Sequence, residues 1–162
     1  MKKIYVSNSK IQGKGIFADE KIKRGELIRY IKGKPKEFTV KDKGDEMAYP
    51  NWIGIGKNKW IDPIYPNLYW NHSCNPNAGL KGKVSVFAIR NITKGEEITI
   101  DYSTIEETDG WEMKCGCGEK NCRKVIKSIQ YLPEKTFDKY MPYIPTYFKK
   151  RYLKLNSGKM LY

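Results

Sequence analysis

The sequence is poor in several of the residue types from which proteins build chemical sites and membrane anchors. It contains one histidine and four cysteines among 162 residues. No stretch approaches the roughly 18 apolar residues that a membrane-spanning helix needs, so the sequence predicts no membrane span. Residues 1–8 are basic but lack the apolar centre of a secretion signal, and we therefore expect an intracellular protein.

Acidic residues are also scarce. The chain has 18 Asp and Glu against 31 Lys and Arg, which leaves a net charge of +13. A charge of this size predicts attraction to polyanions such as nucleic acid. The alternative is that the lysines serve solubility or reflect a compositional bias. The hydrophobic fraction of 40% is enough for the core of one compact domain.

Short apolar segments separated by turn residues predict β-strands in the first hundred residues. The predicted strands cover residues 4–6, 15–18, 26–31, 52–56, 59–61, 84–88 and 96–100. The polar residues 32–45 are predicted to form a solvated loop or a weak hairpin. Beyond Cys122 the apolar residues take helical spacing, which predicts helices over 133–141 and 146–153. The pattern therefore predicts a mostly β protein with short C-terminal helices.

The cysteines are unevenly distributed, with three in a C-x-C-x4-C block and one far upstream. They are Cys74, Cys115, Cys117 and Cys122. In a reducing compartment such a set favours a metal, and four thiolates suit tetrahedral zinc. The glycines on both sides of Cys117 would let the backbone fold tightly around an ion. Two disulfides, or buried free thiols, remain alternatives at this point.

Four blocks occur in a fixed order along the chain. They are residues 13–18 with the segment 22–28, residues 69–77 with Asn71 and His72, residues 94–102 ending in Tyr102, and residues 115–123. In this order they resemble the glycine motif, the asparagine–histidine signature, the tyrosine-ending strand and the post-SET element of SET-domain protein lysine methyltransferases. The resemblance covers residues 3–126. In such enzymes three post-SET cysteines share one zinc with the signature cysteine, which implies that all four cysteines are zinc ligands.

The resemblance implies a SET-domain fold of small β-sheets. It also implies a pseudoknot-like threading of the Asn71 segment and the segment after Tyr102. We expect a SET domain at residues 1–110, a post-SET zinc-binding element at 111–127 and a C-terminal helical extension at 128–162.

The function implied by the resemblance is protein-lysine N-methylation with S-adenosylmethionine as the methyl donor. The expected partner is a lysine-containing protein substrate, either a histone or another DNA-associated protein, in the cytoplasm or on chromatin. Acidic residues would help to attract so basic a substrate. Candidates are Asp42, Asp45, Glu46, Glu106, Glu107 and Asp109.

Two tyrosines and one isoleucine are the residues that the resemblance places at the reaction. Tyr102 would hold its hydroxyl near the reacting nitrogen and methyl group. Tyr30 would line the lysine channel, although its spacing to Gly33 is one residue longer than usual and ordinary packing is the alternative. Ile100 stands where an aromatic residue usually limits the number of methyl groups, so we expect it to set product specificity and to tolerate di- or trimethylation.

The resemblance also implies a set of cofactor-binding residues. They are Gly13, Lys14, Gly15, Ile16, Asn71, His72, Tyr102 and Ile126. The glycines would let the backbone approach the cofactor, and Asn71 and His72 would bind it through side-chain and backbone groups.

A second function is compatible with the sequence. The chain could be a catalytically silent SET-like module that binds nucleic acid or chromatin-like partners through its positive charge. Tyr102, Asn71 and His72 favour the enzyme, because a binding module has no chemical need for that set.

Overall fold

The computed structural model describes residues 1–37 and 51–157, which fold into small β-sheets followed by short helices. The strands in these ranges are β1 (Ile4–Asn8), β2 (Lys14–Ala18), β3 (Leu27–Tyr30), β4 (Gly33–Glu37), β5 (Ile53–Gly56), β6 (Lys59–Pro63), β7 (Asn71–His72), β8 (Ala78–Lys81), β9 (Ser85–Ala88), β10 (Glu97–Ile100), β11 (Glu112–Lys114) and β12 (Val125–Lys127). The α-helices are α1 (Glu134–Tyr140) and α2 (Thr146–Asn156). This architecture confirms the predicted fold class of small sheets with short C-terminal helices.

The described strands form separate small sheets rather than one large one. Their orders are β1-β2-β10-β7, β3-β9-β8, β4-β6-β5 and β11-β12. In the first sheet β10 runs antiparallel to β2, with Ile98 opposite Ile16. On its other side β10 runs parallel to β7, with Thr99 opposite Asn71. Three of the four sequence blocks therefore meet in a single sheet.

Isoleucines make up much of the core beneath these sheets. Ile16, Ile28, Ile92 and Ile98 are completely buried. β-branched side chains suit the pleated surface of a strand, where they pack well against their neighbours. Ile16, Ile28 and Ile98 lie in β2, β3 and β10, three strands that the short apolar segments of the sequence predict.

The pattern misses β8, the shortest strands and one polar strand. β7 has two residues, and β11 and β12 have three each, which is too short for a repeating pattern. β4 lies in the polar segment that was predicted as a loop or weak hairpin, yet it pairs along its whole length with β6. The rest of that segment, residues 38–45, lies outside the described residues.

The C-terminal helices pack onto this core. The rings of Phe137 in α1 and Tyr152 in α2 stack with their centroids 3.8 Å apart. Phe148 is also buried, and it lies so close to Gly54 of β5 that a Cβ there would come within 3.0 Å of its ring. Among the described residues, no helix has the length and apolar character required to cross a membrane.

Candidate active site and cysteine cluster

The candidate active site lies where the parallel strands β7 and β10 end. β7 carries Asn71 and His72, and β10 continues through Asp101 into a 3₁₀ helix, Tyr102–Ile105. Asp101 caps this helix, because its Oδ1 accepts a hydrogen bond of 3.0 Å from the Ser103 N–H. The pairing brings together residues that are about thirty positions apart in the chain, so His72 and Tyr102 become neighbours.

Tyr102 is fixed at both its backbone and its side chain. Its hydroxyl donates a hydrogen bond of 2.6 Å to the Trp70 carbonyl, and its backbone N–H donates one of 3.2 Å to His72 Nδ1. Burial, with a smaller effect from the Glu97 charge, raises the pKa of Tyr102 to about 12. The phenol therefore stays protonated at neutral pH, and its oxygen retains lone pairs that can accept a further hydrogen bond.

His72 lies in the interior and links protein groups. Because Nδ1 accepts from the Tyr102 N–H, the ring proton is on Nε2, which lies 3.4 Å from Cys74 Sγ. Burial, aided by the nearby Arg123 charge, lowers the pKa of His72 to about 3. The ring is thus neutral, and both its nitrogens contact protein atoms. Of the side-chain and backbone groups through which His72 was predicted to bind a cofactor, the ring nitrogens are thus already in contact with protein atoms.

Asn71 joins the β1–β2 hairpin, which carries Gly13 and Gly15 and is called the glycine hairpin here, to β10. Its Nδ2 lies 3.2 Å from the Gln12 carbonyl, 3.0 Å from the Lys14 carbonyl and 2.7 Å from Glu97 Oε1. A Cβ on Gly15 would lie 2.2 Å from the same Glu97 oxygen. Packing within the protein therefore explains why residue 15 is a glycine, because the Asn71–Glu97 contact occupies the space that a side chain would need.

The other predicted cofactor residues surround this point in different ways. Gly13 has φ +49 in the turn between β1 and β2, with nothing within 4 Å of a hypothetical Cβ. Lys14 holds its Nζ 5.9 Å above the Tyr69 ring. Ile16 is completely buried in the core, between β1 and β10. Ile126 is buried in β12, opposite Met113.

Tyr30 and Ile100 lie in contrasting surroundings. Tyr30 ends β3, pairs with Ser85 in a different sheet and is 45% exposed. Ile100 is 1% exposed and lies opposite His72 in β10. The structure thus places Ile100 directly before the Asp101–Tyr102 turn, whereas Tyr30 is on a separate sheet.

The four cysteines converge although Cys74 is far from the others in sequence. Their Sγ atoms all lie within 4.8 Å of one another, and all four are free thiols. The Cys74 and Cys115 sulfurs are 3.8 Å apart. Zn–S bonds of about 2.3 Å in a tetrahedron put sulfurs about 3.8 Å apart. The set therefore fits one zinc ion, and the free thiols argue against the disulfide alternative.

Hydrogen-bond donors at Cys74 support the same conclusion. The Arg123 backbone N–H and its Nε donate to Cys74 Sγ at 3.3 and 3.4 Å, and His72 Nε2 lies on the same sulfur. Burial raises the pKa of the Cys74 thiol, and the bonds from Arg123 oppose that shift. Several N–H donors around one buried sulfur suit a metal-bound thiolate better than a neutral thiol.

Arg123 and Asp101 are site residues that the sequence reasoning missed. Arg123 Nη2 lies 2.6 Å from Asp101 Oδ1, in an ion pair with side chains only 16% and 1% exposed. Its Nη1 also donates to Ser103 Oγ at 3.3 Å. Each of them is adjacent in sequence to a predicted site residue, since Asp101 precedes Tyr102 and Arg123 follows Cys122. Nothing in the sequence, however, shows that Asp101 and Arg123 are in contact.

The acidic residues considered for substrate attraction have other partners where the structure describes them. Glu107 accepts a hydrogen bond of 2.5 Å from the Tyr147 hydroxyl and lies 3.5 Å from Arg151 Nε. Asp109 accepts one of 2.8 Å from Tyr131. These contacts attach the loop before β11 to the C-terminal segment. Asp42, Asp45 and Glu46 lie outside the described residues.

Comparison with known families gives a direct match. The SET domain model matches residues 13–103, a range that contains the glycine hairpin, the Asn71 segment and Tyr102.

Curated relatives include the histone-lysine N-methyltransferase trr of Drosophila melanogaster, which is 30% identical over 141 residues, 75% of this chain and 6% of its own length. Another is the histone-lysine N-methyltransferase ASHR3 of Arabidopsis thaliana, 33% identical over 140 residues, 75% of this chain and 27% of its own length. The chain thus spans less than a third of the length of each of these relatives. Among solved structures, KRYPTONITE in complex with mCHH DNA, an H3(1-15) peptide and SAH has a TM-score of 0.60 at 23% identity, covering 78% of this chain and 30% of that one.

Proposed function

Because this chain belongs to the SET-domain family, we propose that it is a protein-lysine N-methyltransferase that uses S-adenosylmethionine. The observation that carries the proposal is the position of the Tyr102 hydroxyl, 2.6 Å from the Trp70 carbonyl. It lies beside the strand pair that holds Asn71 and His72. The Tyr102 hydroxyl oxygen and the Trp70 carbonyl oxygen are thus held next to each other, beside the segments that match the SET domain model.

In this proposal the donor, when bound, supplies an electrophilic methyl group on a sulfonium sulfur. The chain must present a neutral lysine amine to that group along a straight line, and alignment of this kind can account for much of a barrier. A free lysine has a pKa of about 10.4 and must lose its proton first, which desolvation favours. Because the Tyr102 hydroxyl donates its proton to the Trp70 carbonyl, the lone pairs of the phenol oxygen can accept an N–H of the lysine amine. That hydrogen bond would orient the nitrogen lone pair toward the methyl group.

The donor pocket is proposed to lie along the glycine hairpin and Asn71. Gly13 offers open space and exposed backbone, while the Asn71 amide ties the hairpin to β10. The four cysteines would hold zinc and fix residues 111–127 beside the site, so that Ile126 lies against the donor. We retain residues 1–110, 111–127 and 128–162 as the proposed domain, zinc element and extension.

The proposed substrate is a lysine in a histone-like protein. Both named relatives are histone-lysine N-methyltransferases, and the KRYPTONITE structure contains an H3 peptide and DNA. A chain with net charge +13 repels a basic tail, and DNA bound to both would screen that repulsion. We therefore propose chromatin, rather than free histone, as the better substrate.

The test uses S-adenosylmethionine with a labelled methyl group. The zinc-loaded protein is incubated with free histones, reconstituted nucleosomes and a lysine-rich protein mixture, and the label is located by mass spectrometry. The proposal expects label on lysine ε-amines, with more on nucleosomes than on free histones. If the folded, zinc-loaded protein transferred no label to any of these and did not bind the donor, it would be a silent binding module instead.

A further inference from the structure

We propose that His72 and Arg123 are positioning residues that couple the cysteine cluster to Tyr102. This inference rests on the proposed function, because it concerns the residue that would align the reacting amine. Neither side chain needs to touch the donor or the substrate lysine to act. Each one contacts Cys74 with one group and the Asp101–Ser103 turn with another.

The first bridge runs through the imidazole of His72. Its Nε2 lies 3.4 Å from Cys74 Sγ, and its Nδ1 accepts the Tyr102 N–H at 3.2 Å. The ring is buried, with 4% of its residue surface exposed, so it cannot turn without breaking both contacts. A displacement of the Cys74 sulfur is therefore passed to the backbone of Tyr102.

The second bridge runs through the guanidinium of Arg123. Its Nε donates to Cys74 Sγ at 3.4 Å, while Nη2 and Nη1 reach Asp101 Oδ1 and Ser103 Oγ at 2.6 and 3.3 Å. These two acceptors belong to the residues immediately before and after Tyr102. A planar guanidinium can make all these contacts at once, whereas a lysine ammonium is a single point and cannot.

Together the two bridges attach Tyr102 and both its neighbours to one sulfur. Outer contacts of this kind orient the groups around a metal, and their loss usually costs about 10- to 100-fold in metal affinity or activity. A metal ion in the cluster would therefore do more than hold residues 111–127. It would fix the direction of the Tyr102 hydroxyl.

The test reads Tyr102 directly, without turnover. Fluorotyrosine is incorporated, the Tyr102 resonance is assigned with Tyr102→Phe, and its ¹⁹F shift is compared between the zinc-loaded and cadmium-loaded proteins. We expect the metal exchange to move the Tyr102 resonance in the wild-type protein. This change in the ¹⁹F shift should fall below about half of its wild-type size in Arg123→Gln, and Arg123→Lys should not restore it. Lys127→Gln is the matched control, because its ion pair with Glu112 is exposed on neighbouring β12.

Two substitutions of His72 separate the ends of the first bridge. Asn can imitate Nδ1 and keep the acceptor for the Tyr102 N–H, whereas Gln can imitate Nε2 and keep the donor to Cys74. We expect His72→Asn to lower zinc affinity about 10-fold while the zinc-loaded Tyr102 resonance stays near its wild-type position. His72→Gln should leave zinc affinity near its wild-type value but move the Tyr102 resonance. It should also lower kcat about 10-fold, with little change in donor KM.

An unmoved wild-type Tyr102 resonance on metal exchange would overturn the inference, as would an equal movement in Arg123→Gln. Either result could occur in a protein that still methylates lysine. Conversely, absence of methyl transfer with the ¹⁹F coupling intact would refute the proposed function and leave the positioning role standing.

Discussion

The hydroxyl of Tyr102 donates a 2.6 Å hydrogen bond to the main-chain carbonyl of Trp70. Trp70 immediately precedes β7, so this bond joins the end of β10 to the start of β7 directly across the candidate site. A carbonyl acceptor fixes the phenol proton on one side. The lone pairs of the phenol oxygen then remain able to accept a hydrogen bond from another group.

Tyr102→Phe is the first prediction. Loss of the hydroxyl removes the group that we propose orients the amine but leaves the hairpin and Asn71 intact, so we expect kcat to fall about 100-fold or more. The Kd for S-adenosylmethionine, measured by calorimetry, should change by less than about twofold. Tyr5→Phe is the matched control, because that ring is 41% exposed on β1. An equal loss of donor binding in Tyr102→Phe would instead make Tyr102 a structural residue.

Gly15→Ala tests the close packing at the hairpin. Its Cβ would meet Glu97 Oε1 at 2.2 Å and Asn71 Nδ2 at 3.1 Å, so we expect the protein to lose about 1–3 kcal/mol of unfolding free energy. Adding Glu97→Ala should recover part of that loss, because it removes the clashing oxygen. Gly56→Ala, with nothing within 4 Å of its Cβ, serves as the control in denaturant titrations. Additive effects in the double variant would contradict this explanation.

Glu96→Gln gives a prediction for pH. Burial would raise the pKa of Glu96, but hydrogen bonds from Arg90, Thr93 and Asn77 outweigh it and lower the pKa. A lowered folded-state pKa gives stability that is present above the unfolded value and is lost as pH falls through the folded value. We expect Glu96→Gln to cost about 1 kcal/mol at pH 7 and to flatten the acid side of the stability profile.

Denaturant titrations from pH 7 to pH 3 measure this effect. The difference between wild type and Glu96→Gln should shrink as the pH falls below the ordinary carboxyl pKa of about 4.3. Glu112→Gln, which removes an exposed ion pair with Lys127, provides a control with a much smaller effect. A constant difference over this pH range would show that charge is not the cause.

Ile100→Tyr addresses the number of methyl groups. Ile100 is apolar and buried next to the turn that carries Tyr102, so we expect wild type to form di- and trimethyl-lysine. A tyrosine should crowd the site and shift the product toward monomethyl-lysine, at a cost of about 1–3 kcal/mol in stability. Mass spectrometry of a single-lysine peptide measures the product distribution. Ile100→Val keeps the apolar character and should keep the wild-type distribution.

Cys117→Ser tests the cysteine cluster. Elemental analysis should find one zinc per wild-type chain, and the serine variant should bind it at least about 10-fold more weakly. We also expect its donor affinity to fall, because residues 111–127 are then no longer held beside the site. Lys120→Gln, an exposed position in the same segment, should retain both zinc and donor. A zinc-free wild-type protein with full donor binding would contradict the zinc assignment.

Much of the fold can be predicted from the sequence. Short apolar segments bounded by turn residues predict β2, β9 and β10, and Pro133 and Pro145 directly precede α1 and α2. The two-residue strand β7 is different, because it exists only through its pairing with β10. A polar strand such as β4 likewise depends on its partner β6. Local preference decides long apolar strands, whereas backbone pairing alone decides short or polar ones.

The sequence by itself determined the chemical inventory of this protein. It contains one histidine, a cysteine block and the segment that ends in Tyr102, in an order that points to one family. Only the tertiary structure decided which atoms these groups meet. It directs the His72 ring to Tyr102 and Cys74, requires Gly15 because of Glu97, and joins Arg123 to Asp101. Spacing along a chain constrains near neighbours, but contacts between distant segments follow from strand pairing and burial, which no local pattern specifies.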